Sequence, residues 1–96
     1  MSLDKLFRPR SVAVIGASST EASIGAELFK NLLRGPFQGP VYPVNPMRQW
    51  VLGVRAYPSV RDIPDPVDLA ILSVPKNKVL DAIDDCGAKG VGAAVI

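Results

Sequence analysis

Val12-Ala13-Val14-Ile15 opens into the small residues Gly16, Ala17, Ser18, Ser19 and Thr20, and a helical pattern begins near Ile24. Small residues between a strand and a helix suit one kind of chemistry well. Backbone N–H groups left free there, with the helix N-terminus behind them, attract phosphate oxygens. Gly16 permits a sharp turn, Gly25 lets the helix lie close to a ligand or to the sheet, and Ser18, Ser19, Thr20 and Ser23 add hydroxyl donors. The same residues also fit a plain turn followed by an N-cap, so composition alone leaves both readings open. The loop is not G-x-G-x-x-G, because Gly16 and Gly25 stand too far apart, and no Gly-Lys-Ser/Thr follows to make it a Walker A loop.

Charge narrows the ligand. A nicotinamide dinucleotide site calls for an acid near the end of the second strand, to hold the ribose hydroxyls. Between Glu27 and Asp62 there is no acidic residue, whereas Lys30, Arg34, Arg48, Arg55 and Arg61 all fall there. A ligand with an extra ribose phosphate, NADP or coenzyme A, suits that bias. Arg48, just past Asn45-Pro46, is placed to meet a phosphate, and is equally well read as a solvated loop arginine. The other basic residues are expected at the surface. Trp50 and Tyr57 flank this loop and either stack on an adenine or pack against the sheet edge.

Chemistry within the chain itself is not expected. There is no histidine, which removes a Ser-His-Asp or Cys-His site and any phosphohistidine relay. Cys86 stands alone, so no intramolecular disulfide forms and no zinc set is recognisable; it falls on an apolar helical stripe and reads as core. A net charge of +2 is too mild to argue for nucleic acid. The apolar runs are far shorter than the roughly 20 residues that span a bilayer, and Val12 to Ile15 is too short for a signal peptide despite Lys5, Arg8 and Arg10 before it. A cytoplasmic protein without metal, membrane or nucleic-acid partners is expected.

The elements that must position the loop follow from periodicity. Leu3 to Phe7 reads as a helical lead-in ended by Pro9, and Ser11 to Ile15 as a strand buried on both faces. Ile24, Leu28 and Leu32, with Phe29 and Leu33 beside them, form a helical stripe stopped at Gly35-Pro36. Val41 to Val44 is a second strand, placed at an edge by Pro43, and Asn45-Pro46 a turn. A loop and a brief third strand are expected within Trp50 to Tyr57, then one helical turn from Ser59 to Ile63. Val67 to Val74 is the clearest strand, with Pro75 in the first turn of a helix whose stripe is Val79, Ile83 and Cys86. That helix ends near Gly87 to Gly90, and Val91 to Ile96 is the last strand. The expected fold is α/β, a Rossmann-like three-layer domain with a mainly parallel sheet of about five strands. It fills residues 1–96 as one domain. The chain stops inside its last expected strand, with no helix after it, and reads as a fragment of a longer protein truncated at its C-terminal end.

"LFRPRSVAVIGASS", "GPVYPVNP", "GVRAYPSVRDIPDPVDLAILSVP" and "CGAKGVGAAVI", in that order, resemble the CoA-binding domain of NDP-forming acyl-CoA synthetases, relatives of the succinyl-CoA synthetase α subunit. The resemblance covers nearly the whole chain. It implies that Gly16, Ala17, Ser18 and Ser19 wrap the CoA phosphates, with Gly25 behind them, and that Val44, Asn45 and Pro46 line the adenosine side. Arg48 stands where the succinyl enzyme has a basic residue that meets a CoA phosphate. Ser73, Val74 and Pro75 would border the pantetheine path; on their own residues they read only as a strand end and a helix-starting proline. The family reaction joins a carboxylic acid to CoA at the expense of a nucleoside triphosphate, through an acyl phosphate and a phosphohistidine, and needs further synthetase domains or a β-type subunit. Lysine acetyltransferases that carry an inactive synthetase region share these motifs, which leaves a CoA- or acetyl-CoA-sensing regulatory domain as the alternative. An NAD(P)-binding sensor or dehydrogenase domain is the third reading.

Overall fold

A computed structural model describes residues 3–17 and 24–96. The main sheet has four strands, β1 (Val12–Ile15), β2 (Val41–Val44), β5 (Leu69–Leu72) and β6 (Ala93–Val95), all parallel, in the order β2-β1-β5-β6. Register fixes the two faces. Val12 pairs with Val41 and Leu69, and Leu69 with Ala93, so this row shares one face, while Ala13, Tyr42, Ala70 and Ala94 share the other.

Helix α2 (Ile24–Arg34) covers the first face, where fully buried Phe29 packs among Val12, Val14 and Val41. Helix α3 (Val79–Lys89) covers the second, setting Ala82 and Cys86 against Ala13, Ile15, Ala70 and Leu72. The short α1 (Leu3–Phe7) packs beside β6, and Asp68 ties that corner together by accepting from the Arg10 N–H and pairing with Lys5. Helix, sheet and helix make the three layers expected. The chain steps outward from β1 to β2, and from β5 outward to β6, so the strand order reverses between β1 and β5. That is where open parallel sheets hold their ligands.

Two helical stripes are corrected by the structure. On α2, Phe29 is buried and Leu28 and Leu32 are half-buried against the core as expected, but Ile24 and Leu33 are exposed, and Gly25 and Ala26 are buried in their stead. On α3, Ile83 is exposed and Ala82 takes its place beside Cys86, with Val79 half-buried. Small Ala26 and Ala82 are buried alongside Phe29 and Cys86 respectively. Burial, helped by Asp85, pushes the Cys86 thiol pKa up, which keeps it protonated and apolar. Pro75 does not begin α3; it precedes a 3-10 turn at Lys76–Lys78 that leads into the helix.

The expected third strand leaves the sheet. Trp50–Val51 (β3) and Val54–Arg55 (β4) form a two-stranded antiparallel ribbon, and Tyr57 after it pairs with the main sheet as an isolated bridge to Val44. Its turn, Leu52-Gly53, holds positive φ at both residues, 49° and 79°. Tight hairpins favour that geometry, but it strains a leucine. Leu52→Asn is therefore expected to raise stability by about 0.5–1 kcal/mol, read as a higher midpoint in urea melts with an unchanged slope.

Candidate functional site

The loops at the carboxyl ends of β1, β2 and β5 converge. Gly16 donates its N–H to the Val44 carbonyl at 2.9 Å, and Ser73 donates to the Ile15 carbonyl at 2.8 Å, so the three strand ends are stitched together beyond their last ladder bonds. Gly16 has φ +94°, and an added Cβ would lie 2.8 Å from the Ser73 carbonyl carbon and closer still to its oxygen. Gly25, in the first turn of α2, is just as crowded. A Cβ there would stand 3.1 Å from the Gly16 carbonyl carbon and 3.3 Å from Ser73 Oγ. The two glycines thus let the start of α2, the end of β1 and the end of β5 meet with backbone against backbone.

Because the Gly16 N–H is used inside the sheet, Gly16 contributes closeness and turn geometry rather than a donor. Among the described residues nothing accepts from the Ala17 N–H, while its carbonyl accepts from Asn45 Nδ2 at 2.8 Å. Ser18 and Ser19, together with Thr20 and Ser23, lie outside the described residues.

Asn45 does more than line a wall. Its amide reaches across to the β1 loop, its Oδ1 accepts from the Met47 N–H at 2.8 Å, and its own N–H donates to the Tyr57 carbonyl. One half-buried side chain therefore sets both the β2 turn and its spacing from the β1 loop. The sequence marks Asn45-Pro46 as a turn but carries no sign of the bond to Ala17.

Two contiguous cavities open here. The first, of about 450 Å³, has Ile15, Gly16 and Val44 as its floor. Its walls are Asn45-Pro46, Ser73-Val74-Pro75, the segment Pro58 to Val60, Lys78, and Asp81, Ala82 and Asp85 of α3. Ser59 caps the 3-10 turn at Val60–Asp62 by accepting from the Arg61 N–H, while Asp62 answers by accepting from the Ser59 N–H. Arg61 in turn pairs with Asp85 at 2.9 Å, fixing that wall to α3. The lining is mainly apolar.

The second cavity, of about 590 Å³, lies beyond Pro46 and Pro58, which border both. Arg48, Trp50 and Arg55 line it together with Met47, Gln49 and Ala56, and among the described residues no carboxylate does. Trp50 is 59% exposed, and Tyr57 packs edge-on against Tyr42, whose hydroxyl donates to Asp65. Burial and that bond push the Tyr42 hydroxyl pKa up. The structure thus brings Gly16, Val44, Asn45, Pro46, Ser73, Val74 and Pro75 round one cavity and Arg48 round its neighbour, with Ala17 and Gly25 directly behind. Among the described residues, no helix is long and apolar enough to cross a membrane.

A phosphate-bearing ligand with an apolar arm suits this pair, a mainly apolar cavity on one side and a basic one on the other. Residues 10–96 match the family described as the CoA binding domain. The chain is 52% identical over 95 residues to the α subunit of ADP-forming acetate–CoA ligase II of Pyrococcus furiosus, covering 98% of this chain and 20% of that protein. It is 44% identical over 94 residues to a trans-feruloyl-CoA synthase of an unidentified prokaryotic organism, covering 98% of this chain and 13% of that one. Among solved structures, the dinucleotide-forming acetyl-coenzyme A synthetase 1 of Candidatus Korarchaeum cryptofilum, in complex with phosphate and ADP, superposes with a TM-score of 0.94 at 48% identity, over 99% of this chain and 20% of that one. The chain thus spans a fifth or less of the length of these relatives. It belongs to the CoA-binding domain family, the one its four ordered motifs resemble.

Proposed function

We propose that this chain holds and positions CoA for an acid–thiol ligation of the ADP-forming kind, completed by other domains or a partner subunit in the cytoplasm. In this reading the Ala17 N–H and the start of α2 hold the diphosphate, and Gly16 and Gly25 clear the space for it. Asn45 keeps the β1 and β2 loops at their working separation, and Val44 and Pro46 border the adenosine. Ser73, Val74 and Pro75 shape the apolar chamber that takes the pantetheine arm. CoA would supply the thiol that is acylated, and in this reading the described residues act by binding and orientation. That relatives named for acetate and for ferulate share this domain, at 52% and 44% identity, supports reading the choice of acid as made outside it.

One observation carries this reading: at the strand-order reversal a cavity lined by Arg48 and Arg55, with no carboxylate among the described residues of its lining, shares Pro46 and Pro58 with a mainly apolar one. A nicotinamide site would set a carboxylate where Arg48 stands. Calorimetric titration with CoA, dephospho-CoA, NAD and NADP tests it. CoA is expected to bind best and dephospho-CoA about tenfold or more weaker, the size of one or two charge-assisted bonds. Arg48→Ala should close most of that gap without weakening dephospho-CoA. Tighter binding of NAD or NADP than of CoA would overturn the reading.

A further inference from the structure

Arg48 is not the only cation at the basic chamber. The β3–β4 ribbon turns Trp50 and Arg55, direct cross-strand partners, into the same cavity. The Arg55 guanidinium carbon stands 6.0 Å from the centre of the Tyr57 ring, and Tyr57 is itself held edge-on by Tyr42. A guanidinium resting over an aromatic ring keeps its N–H edge for a planar or anionic partner. Among the described residues, Lys5 and Arg61 meet carboxylates, whereas neither Arg48 nor Arg55 has one within ion-pair distance. Two such cations round one chamber, with no acid in its wall, match a single doubly charged phosphate group.

We propose that Arg55 is a second specificity-determining residue, which with Arg48 seats the ribose phosphate that distinguishes CoA from dephospho-CoA. This rests on the CoA reading above. It also gives the ribbon a purpose: the segment leaves the main sheet, and by doing so carries Arg55 to the cavity that Arg48 lines. The interaction needs the flat fork of an arginine, so charge alone restores only part of it.

Trp50 is the chain's one tryptophan and borders the same chamber, so its fluorescence reports ligand arrival. Titrations of the full chain with CoA and dephospho-CoA are compared for the wild type, Arg55→Ala, Arg55→Lys, Arg48→Ala and the double alanine variant. Arg55→Ala is expected to weaken CoA about tenfold, as for the loss of one charge-assisted bond, and to leave dephospho-CoA unchanged. Arg55→Lys should fall between, and the double variant should bind the two ligands equally. The proposal is overturned if Arg55→Ala keeps the wild-type preference while Arg48→Ala alone erases it. It is equally overturned if Arg55→Ala weakens both ligands alike, which marks a structural role. Failure of the CoA reading itself has a different signature, a wild-type chain that prefers NAD or NADP to CoA.

Discussion

Gly16→Ala is expected to lower the melting temperature by about 10–20 °C and to remove measurable CoA binding. Two costs add at this position. A side chain at φ +94° carries roughly 1–2 kcal/mol of backbone strain. The new methyl group would also meet the Ser73 carbonyl, a backbone atom fixed by the neighbouring strand, and such overpacking costs about 1–3 kcal/mol more. Relief can come only by parting β1 from β5, which breaks the bond from the Ser73 N–H to the Ile15 carbonyl and opens the floor of the apolar chamber. Gly53→Ala and Gly90→Ala are the controls. Both have positive φ, 79° and 82°, but nothing lies within 4 Å of an added Cβ, so only the strain cost of about 1 kcal/mol applies. Thermal melts and CoA titration on the three variants separate the two costs. Equal losses in all three would show that close approach at Gly16 does not matter.

Asn45→Asp is expected to weaken CoA by about a hundredfold, which corresponds to about 2.7 kcal/mol, and to do more harm than Asn45→Ala. The side-chain amide donates to the Ala17 carbonyl and its oxygen accepts from the Met47 N–H. Aspartate keeps the second bond and turns the first into a repulsion between two oxygens. It also sets a negative charge at the mouth of a site meant for phosphates. Alanine removes both bonds, at about 1–3 kcal/mol of stability, but adds no charge. The two variants therefore separate by readout: alanine mainly shifts the melt, aspartate mainly the affinity. Calorimetry in low and high salt checks the electrostatic part, since the aspartate penalty should shrink as salt rises.

Much of this was legible from residue order, for physical reasons that differ by element. Val12–Ile15 and Leu69–Leu72 read as strands because both of their faces are covered, so their apolar runs do not alternate. Pro43 correctly marks β2 as an edge strand. Helix faces were less legible. Spacing alone favours Ile24, Leu33 and Ile83, which are apolar but exposed, over Ala26 and Ala82, which are small and buried. The β3–β4 ribbon was hidden because its turn is Leu52-Gly53 and lacks the usual Asn-Gly signal.

The site divides in the same way. Gly16 and Gly25 stand out locally, since backbone crowding must be met by glycine. The bond from Asn45 to Ala17 spans 28 positions and leaves no local trace. Arg55 reads as one surface cation among several until the ribbon brings it to the chamber that holds Arg48.

The most direct single measurement is an amide ¹H–¹⁵N correlation spectrum of the full chain, recorded as CoA is added. If the ligand lies over the carboxyl ends of β1, β2 and β5, the largest shifts fall at Ala17, Asn45, Arg48 and Val74, while α1 and β6 stay still. Shifts gathered at α1 and β6, or none at Ala17 and Asn45 under saturating CoA, would contradict a site at the strand-order reversal.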